Sequence, residues 1–238
     1  MSESTISWIG TIQLFLLFIG GVVFGPIFDT KGSMVLFVPG TIIYVFSLMM
    51  TSLCTKYYQF ILAQGILFGI GDAMLFYPTI SSLPHWFHRR RGLAAGIVVA
   101  GSSLGGIAWP LILERLFKQV GFAWALRITG FICLALLIPC CFMVVPRTRP
   151  GPKQTIPKAE INAIFKDAGF MLLVVGMFFV MWGMFIPFYY LPVYGTTHGM
   201  SWYMGNVLIS ILNAGSLVGR IVSGLAADKF GRSVHCAN

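Results

Sequence analysis

The sequence predicts an all-α, polytopic membrane protein with seven transmembrane helices. Three observations predict it. Hydrophobic residues make up 57% of the 238 residues and charged residues 10%, with a mean hydropathy of +0.85; a soluble domain carries about 25% charged residues because water must wet its surface. The apolar residues gather into seven runs near the roughly 20 residues that a helix needs to cross a bilayer. The basic residues crowd onto alternate connections. These features exclude a disordered chain, a disulfide-stapled secreted domain and an ordinary water-soluble enzyme.

Taken in order, the first run is Trp8–Phe28, closed by Asp29-Thr30-Lys31-Gly32. The second, Met34–Leu53, ends before Thr55-Lys56, and the third, Tyr58–Ile80, leads into the charged stretch His85 to Arg91. The fourth is Leu93–Leu113, followed by a break from Glu114 to Gly121, and the fifth is Phe122–Val145. A connection then runs over 146–169 with Pro146, Pro150, Pro152, Pro157 and five basic residues. It reads as a solvated linker holding a short interfacial helix from Lys158 to Asp167. The sixth run, Phe170–Val193, contains Pro187 and Pro192, which are expected to kink it. The seventh is Tyr203–Ala227.

Successive spans alternate direction, so the loops fall on two sides. One side carries Lys31, Arg89, Arg90, Arg91, Arg147, Arg149, Lys153, Lys158, Lys166, Lys229 and Arg232; the other carries only Lys56, Arg115 and Lys118. The excess of lysine and arginine marks the first side as cytoplasmic, with Met1 outside and Asn238 inside. The net charge of +9 is therefore a loop asymmetry and not a nucleic-acid surface. Arg89, Arg90 and Arg91 read as a cytoplasmic anchor near anionic lipid. The five cysteines and four histidines show no ligand spacing, so no metal and no cofactor is expected.

A repeat sets the architecture. Gly25, Asp29 and Gly32 follow G-x3-D-x2-G, and so do Gly224, Asp228 and Gly231, with Lys229 and Arg232 completing the second copy. Both copies end an apolar helix on the cytoplasmic side, six spans apart. The pattern predicts a tight turn in which glycine takes positive φ and the aspartate caps a following helix. Two copies so placed imply two similar six-helix halves.

The second copy resembles the cytoplasmic signature of the major facilitator superfamily, G-x-L-A-D-[RK]-x-G-R, with every position filled from Gly224 to Arg232. The first copy departs from it at Thr30 and Ser33. The stretch Trp86 to Gly101 resembles the fifth-helix signature of the monocarboxylate porters, departing at Trp86 and Val98, and Gly101 to Gly106 with Leu67 to Ser81 resembles the fungal branch of that family. The resemblance implies a partial major facilitator fold in which the seven spans are helices two to eight of twelve. Residues 1–145 would be five helices of the N-terminal half with its first helix missing, 146–169 the cytoplasmic linker, and 170–238 the first two helices of a truncated C-terminal half. On that reading the chain is a fragment that does not transport alone.

The seventh span carries a polar stripe. Asn206, Ser210, Asn213, Ser216, Arg220 and Ser223 recur at intervals of three and four, which places them on one helical face. Lipid cannot satisfy polar groups, so this face belongs against the bundle or a water-filled cavity. Arg220 stands out, because a mid-span arginine costs roughly 2.5–3.5 kcal/mol on insertion scales. It can hold a carboxylate bidentately, and it matches the eighth-helix arginine to which the resemblance assigns substrate-anion binding; alternatively it snorkels to the cytoplasmic surface. Asn206, Asn213 and Ser216 would line the same site. Ser216 stands where the animal porters place an aspartate used in proton coupling. Asp72 is the single acid clearly inside a span; it is a candidate carrier of a co-transported proton or ion, or alternatively a pairing or cavity-lining residue. Arg127, one turn inside the external end of its span, reads as a snorkelling residue.

The function these residues predict is secondary-active transport of a small organic anion, a monocarboxylate or related carboxylate, by alternating access. Its partners would be the bilayer and an anionic solute, with no nucleic acid, and its place an integral multi-pass position in the plasma or an organelle membrane. Two alternatives are a seven-helix receptor, which leaves the repeated loop unexplained, and a non-transporting truncated isoform. An intramembrane enzyme lacks convergent nucleophile, base or metal ligands, so no catalytic residue is expected.

Overall fold

The computed structural model describes residues 3–87, 90–144 and 164–235, and every regular element among them is helical. α1 is Glu3–Lys31 and α2 is Met34–Thr51. α3 (Tyr57–Phe60), a π-helical segment (Ile61–Leu67) and α4 (Phe68–Trp86) form one continuous span. The helix Arg91–Met143 breaks at Gly121, where φ is 77° and ψ 171°; its arms are α5 (91–120) and α6 (122–143). α7 is Ala168–Thr197 and α8 is Trp202–His235. With the break at Gly121 counted, the described residues hold seven helices long and apolar enough to cross a membrane, matching the apolar runs.

The boundaries differ from expectation where polar side chains stay helical. α5 continues past Glu114, whose Oε1 accepts from Lys118 Nζ at 2.8 Å one turn later. Only Gly121, free of a Cβ, leaves the helical region. α7 remains helical through Pro187 and Pro192. The linker residues 145–163 lie outside the described residues, and so does most of the expected interfacial helix; Asp167 at its end caps α7 by accepting from Gly169 N at 2.9 Å.

The interior holds many small and polar residues beside a few large ones such as Phe28, Leu36 and Phe37, while the outside is large and apolar. Ser47 and Ser103 are fully buried and Thr51 nearly so, whereas Val22, Phe142 and Leu172 are more than 70% exposed. This is the pattern of a protein whose solvent is hydrocarbon. Three of the buried hydroxyls are satisfied within their own helices: Thr41 donates to Phe37 O at 2.9 Å, Thr51 to Ser47 O at 2.8 Å and Thr129 to Ala125 O at 2.9 Å.

Small residues bring the helices together. A Cβ at Gly69 would stand 3.1 Å from Gln13 in α1, and one at Gly71 would stand 2.9 Å from the Tyr44 backbone in α2, so α4 lies tightly between them. α6 closes on α2 through Gly130 against Met49. Arg127 donates from Nε to Ser52 Oγ at 3.2 Å and lies over the Trp124 ring at 5.1 Å. It is therefore tied to α2, where the sequence suggested a side chain reaching for the surface.

The closest approach is between α5 and α8. A Cβ on Gly92 would stand 2.7 Å from Gly224 O, one on Gly224 2.5 Å from Gly92 O, and one on Gly96 2.6 Å from Arg220 O. These positions accept nothing larger than hydrogen. Glycines elsewhere differ: Gly65 and Gly69 pack on α1, whereas Gly215 and Gly219 meet nothing within 4 Å.

Gly224→Val should therefore force α5 from α8 and destabilise the protein by ~1–3 kcal/mol, the usual range for overpacking. Gly215→Ala should leave stability unchanged or slightly raised. Thermal unfolding in detergent checks the contrast, and equal effects at the two positions would refute the contact.

Candidate functional site

The polar stripe of α8 opens into a cavity of about 480 Å³ between α7 and α8, lined by Met184, Pro187, Phe188, Leu212, Asn213, Ser216 and Arg220. Three of the expected site residues thus converge. The Asn206 side chain lies outside the described residues. Asn213 is buried, donates from Nδ2 to Ile209 O at 3.0 Å, and packs its amide against Gly106 of α5. Ser216 is half-buried at the cavity wall.

Arg220 does not snorkel. Its Nη1 reaches across to α5, donating to Val99 O at 2.8 Å, to Ser103 Oγ at 2.9 Å and to Ser102 Oγ. A cation inside a span needs such acceptors, because lipid offers none. Ser102, Ser103 and the Val99 carbonyl were not foreseen as site groups; the signal available was a small, hydroxyl-bearing stretch in the span that the fold sets against the stripe.

Asp72 is elsewhere. It lies near Tyr44 of α2, which in turn faces Cys133 of α6, and it is not among the residues lining the Arg220 cavity. The expected anion site and the expected proton carrier are thus not brought together.

The repeated motif behaves unequally in its two copies. Gly32 takes the positive φ, 85°, that the turn between α1 and α2 requires. Asp29 is exposed in the last turns of α1, and Gly25 meets nothing within 4 Å. In the second copy no turn forms, since α8 continues through Gly231 and Arg232 to His235; the Arg232 side chain lies outside the described residues. Lys229 is exposed. Asp228 caps a helix, but not a following one. Its Oδ1 accepts from Gly92 N at 2.9 Å and its Oδ2 from Leu93 N at 2.8 Å, at the start of α5. One carboxylate satisfies two of the helix's unpaired amides and sits at the positive end of its dipole. Of the arginine cluster, Arg89 lies outside the described residues, Arg90 precedes α5, and exposed Arg91 donates from Nε to Phe87 O at 3.2 Å. No group of three or more potential metal ligands occurs among the described residues.

Asp228→Ala should cost ~1–2 kcal/mol by removing a cap and a dipole partner together, and Asp228→Asn less. Hydrogen exchange at the Gly92 and Leu93 amides should rise in both variants. Unchanged exchange in Asp228→Ala would remove the cap from the account.

The family model described as Major Facilitator Superfamily matches residues 1–235. The chain is 66% identical over 231 residues to the MFS-type transporter pytF of Aspergillus terreus, covering 97% of this chain and 78% of that protein. It is 53% identical to the MFS-type transporter pynF of Aspergillus niger, over 97% of this chain and 53% of that one. It is 46% identical to the Aspyridones efflux protein apdF of Emericella nidulans, over 97% of this chain and 46% of that one. The chain thus spans about half the length of the latter two relatives. These names are those of fungal transporters and an efflux protein, not of monocarboxylate porters, so the resemblance in the fifth span holds at the level of the superfamily. Seven membrane-crossing helices, the complete signature at Gly224 to Arg232 and a family match over nearly all residues lead to one conclusion: this integral, multi-pass membrane protein belongs to the major facilitator superfamily.

Proposed function

We propose that the chain supplies one wall of a secondary transport pathway for an organic anion, with Arg220 as the anion-binding group and Asn213, Ser216 and Asn206 as its polar neighbours. The observation that carries this reading is the cavity wall itself: a guanidinium, an amide and a hydroxyl of one helix face about 480 Å³ of open space. A carboxylate is the ligand whose geometry a guanidinium edge matches. Met184, Pro187, Phe188 and Leu212 make the rest of the wall apolar, which favours an anion with an apolar body over a small hydrophilic one.

The family supports transport as the activity, and the name of the aspyridones efflux protein favours export as its direction. Residues up to about 145 belong on this reading to one half of the carrier and those from about 170 to the other. α5 and α8 then meet across the halves, at the end bearing the basic loops, and the present arrangement is the one closed to the cytoplasm. Opening on that side would part Asp228 from Gly92 and Leu93, which is the role proposed for the signature residues. Asp72, set apart from the cavity, is proposed to carry a proton or ion through the first group of helices. The plasma membrane is the proposed location.

The test compares the chain with its Arg220→Ala and Arg220→Lys variants in reconstituted membranes, using a panel of labelled aromatic and aliphatic carboxylates. Binding should fall ~10- to 100-fold in Arg220→Ala, the range of a lost charge-assisted hydrogen bond, and less in Arg220→Lys. A neutral or cationic solute bound equally well by all three forms would overturn the anion reading. Carboxylate binding should be accompanied by proton uptake in the unaltered chain and not in Asp72→Asn, with affinity spared; equal proton uptake in that variant would remove Asp72 from the proposal.

A further inference from the structure

An arginine has five N–H donors in a rigid plane, two on each Nη and one on Nε. In Arg220 the hydrogen bonds to described residues all run from Nη1, to the Val99 carbonyl and the Ser102 and Ser103 hydroxyls. The three donors on Nε and Nη2 make none among the described residues, while Arg220 lines the cavity. Ser103 is fully buried, so its hydroxyl has no water to turn to. The backbone is pinned as well, because the Arg220 carbonyl oxygen occupies the space above Gly96.

From this asymmetry we infer that Ser102 and Ser103 of α5 are positioning residues for Arg220, holding Nη1 so that the Nε–Nη2 edge is presented to a carboxylate in the cavity. The inference rests on the reading of Arg220 as the anion site and adds what orients it. A free arginine side chain samples many rotamers, and the hydroxyls remove most of that freedom before any ligand arrives. Preorganisation of this kind raises affinity without a new contact to the ligand. The same two hydroxyls lie on the helix that faces α8, so the direction of the guanidinium depends on α5 and α8 staying together. When the two helices part, Nη1 loses its acceptors, the fork swings free and the carboxylate is held less tightly. Ser102 and Ser103 thereby tie anion affinity to the conformation of the α5–α8 contact.

The experiment uses the full chain in detergent with two readouts. The first is the affinity for benzoate, a carboxylate with an apolar body. The second is the rate at which phenylglyoxal modifies Arg220, followed by mass spectrometry of the peptide that contains it. In the Ser102→Ala/Ser103→Ala double variant, benzoate affinity should fall about tenfold, equivalent to about 1.4 kcal/mol, and Arg220 should be modified faster. Ser103→Thr retains a hydroxyl and should restore both values to near those of the unaltered chain. If the double variant is unstable, Ser102→Ala alone, at an exposed position, gives the same two readouts. Benzoate affinity and modification rate unchanged in the serine variants, with Arg220→Ala abolishing benzoate binding, would sink the positioning role while sparing the anion site. No benzoate binding in any form would sink the ligand-orienting role together with the anion site; faster modification would then report only a structural clamp.

Discussion

The contact between α5 and α8 is the constraint on which the rest of the site depends. Helices in lipid gain little from burying apolar surface against each other, since hydrocarbon already surrounds them, so their association relies on close packing and polar pairs. Here both are present along one seam. Gly92, Gly96 and Gly224 remove the side chains that would hold the backbones apart. Asp228 closes one end of the seam and Arg220 ties it two turns further in. Asn213 continues the contact against Gly106. Arg220 and Asn213 of the candidate site both contact α5, so moving that seam moves the site.

The inverted distribution of polarity follows from the same solvent. A water-soluble bundle would hide most of its leucines and phenylalanines; this chain exposes many of them and buries serine, threonine, glycine and alanine beside the few that remain inside. Small hydroxyl residues serve twice. Within α2 they return a hydrogen bond to their own helix and leave a smooth surface for packing. In α5, Ser103 faces outward from its helix and gives its oxygen to a cation from another. Sequence position alone does not distinguish these two uses.

That limit explains what the sequence disclosed and what it did not. The spans were legible because seven apolar runs need no tertiary information. The turn at Gly32 was legible from local pattern, and the stripe of Asn213, Ser216 and Arg220 from helical period. The break at Gly121 was blurred into a wider gap, because Glu114, Arg115 and Lys118 look like loop residues yet form a charged, solvated helix end. The partner of Asp228 was illegible: a local rule predicts that an aspartate caps the helix that follows, and here it caps one that begins 136 residues earlier. Asp72 could be recognised as unusual, but its neighbour Tyr44 is supplied by the packing of α4 on α2. Ser102 and Ser103 offered only a small, hydroxyl-bearing stretch, since their role exists only once Arg220 is opposite.

The cap at Asp228 also bears on the order in which the protein is made. The amides of Gly92 and Leu93 emerge long before the carboxylate that satisfies them. At a synthesis rate of roughly 5–20 residues per second, the intervening chain takes on the order of ten seconds to appear. Throughout that interval the start of α5 must stay in contact with water at the membrane surface, and its glycine face must avoid closing on α1, α2 or α4. The exposed basic residues Arg90 and Arg91 at the start of α5 suit that waiting position. α5 is thus inserted early but seated late, and the last helix described is the one that completes the fourth span.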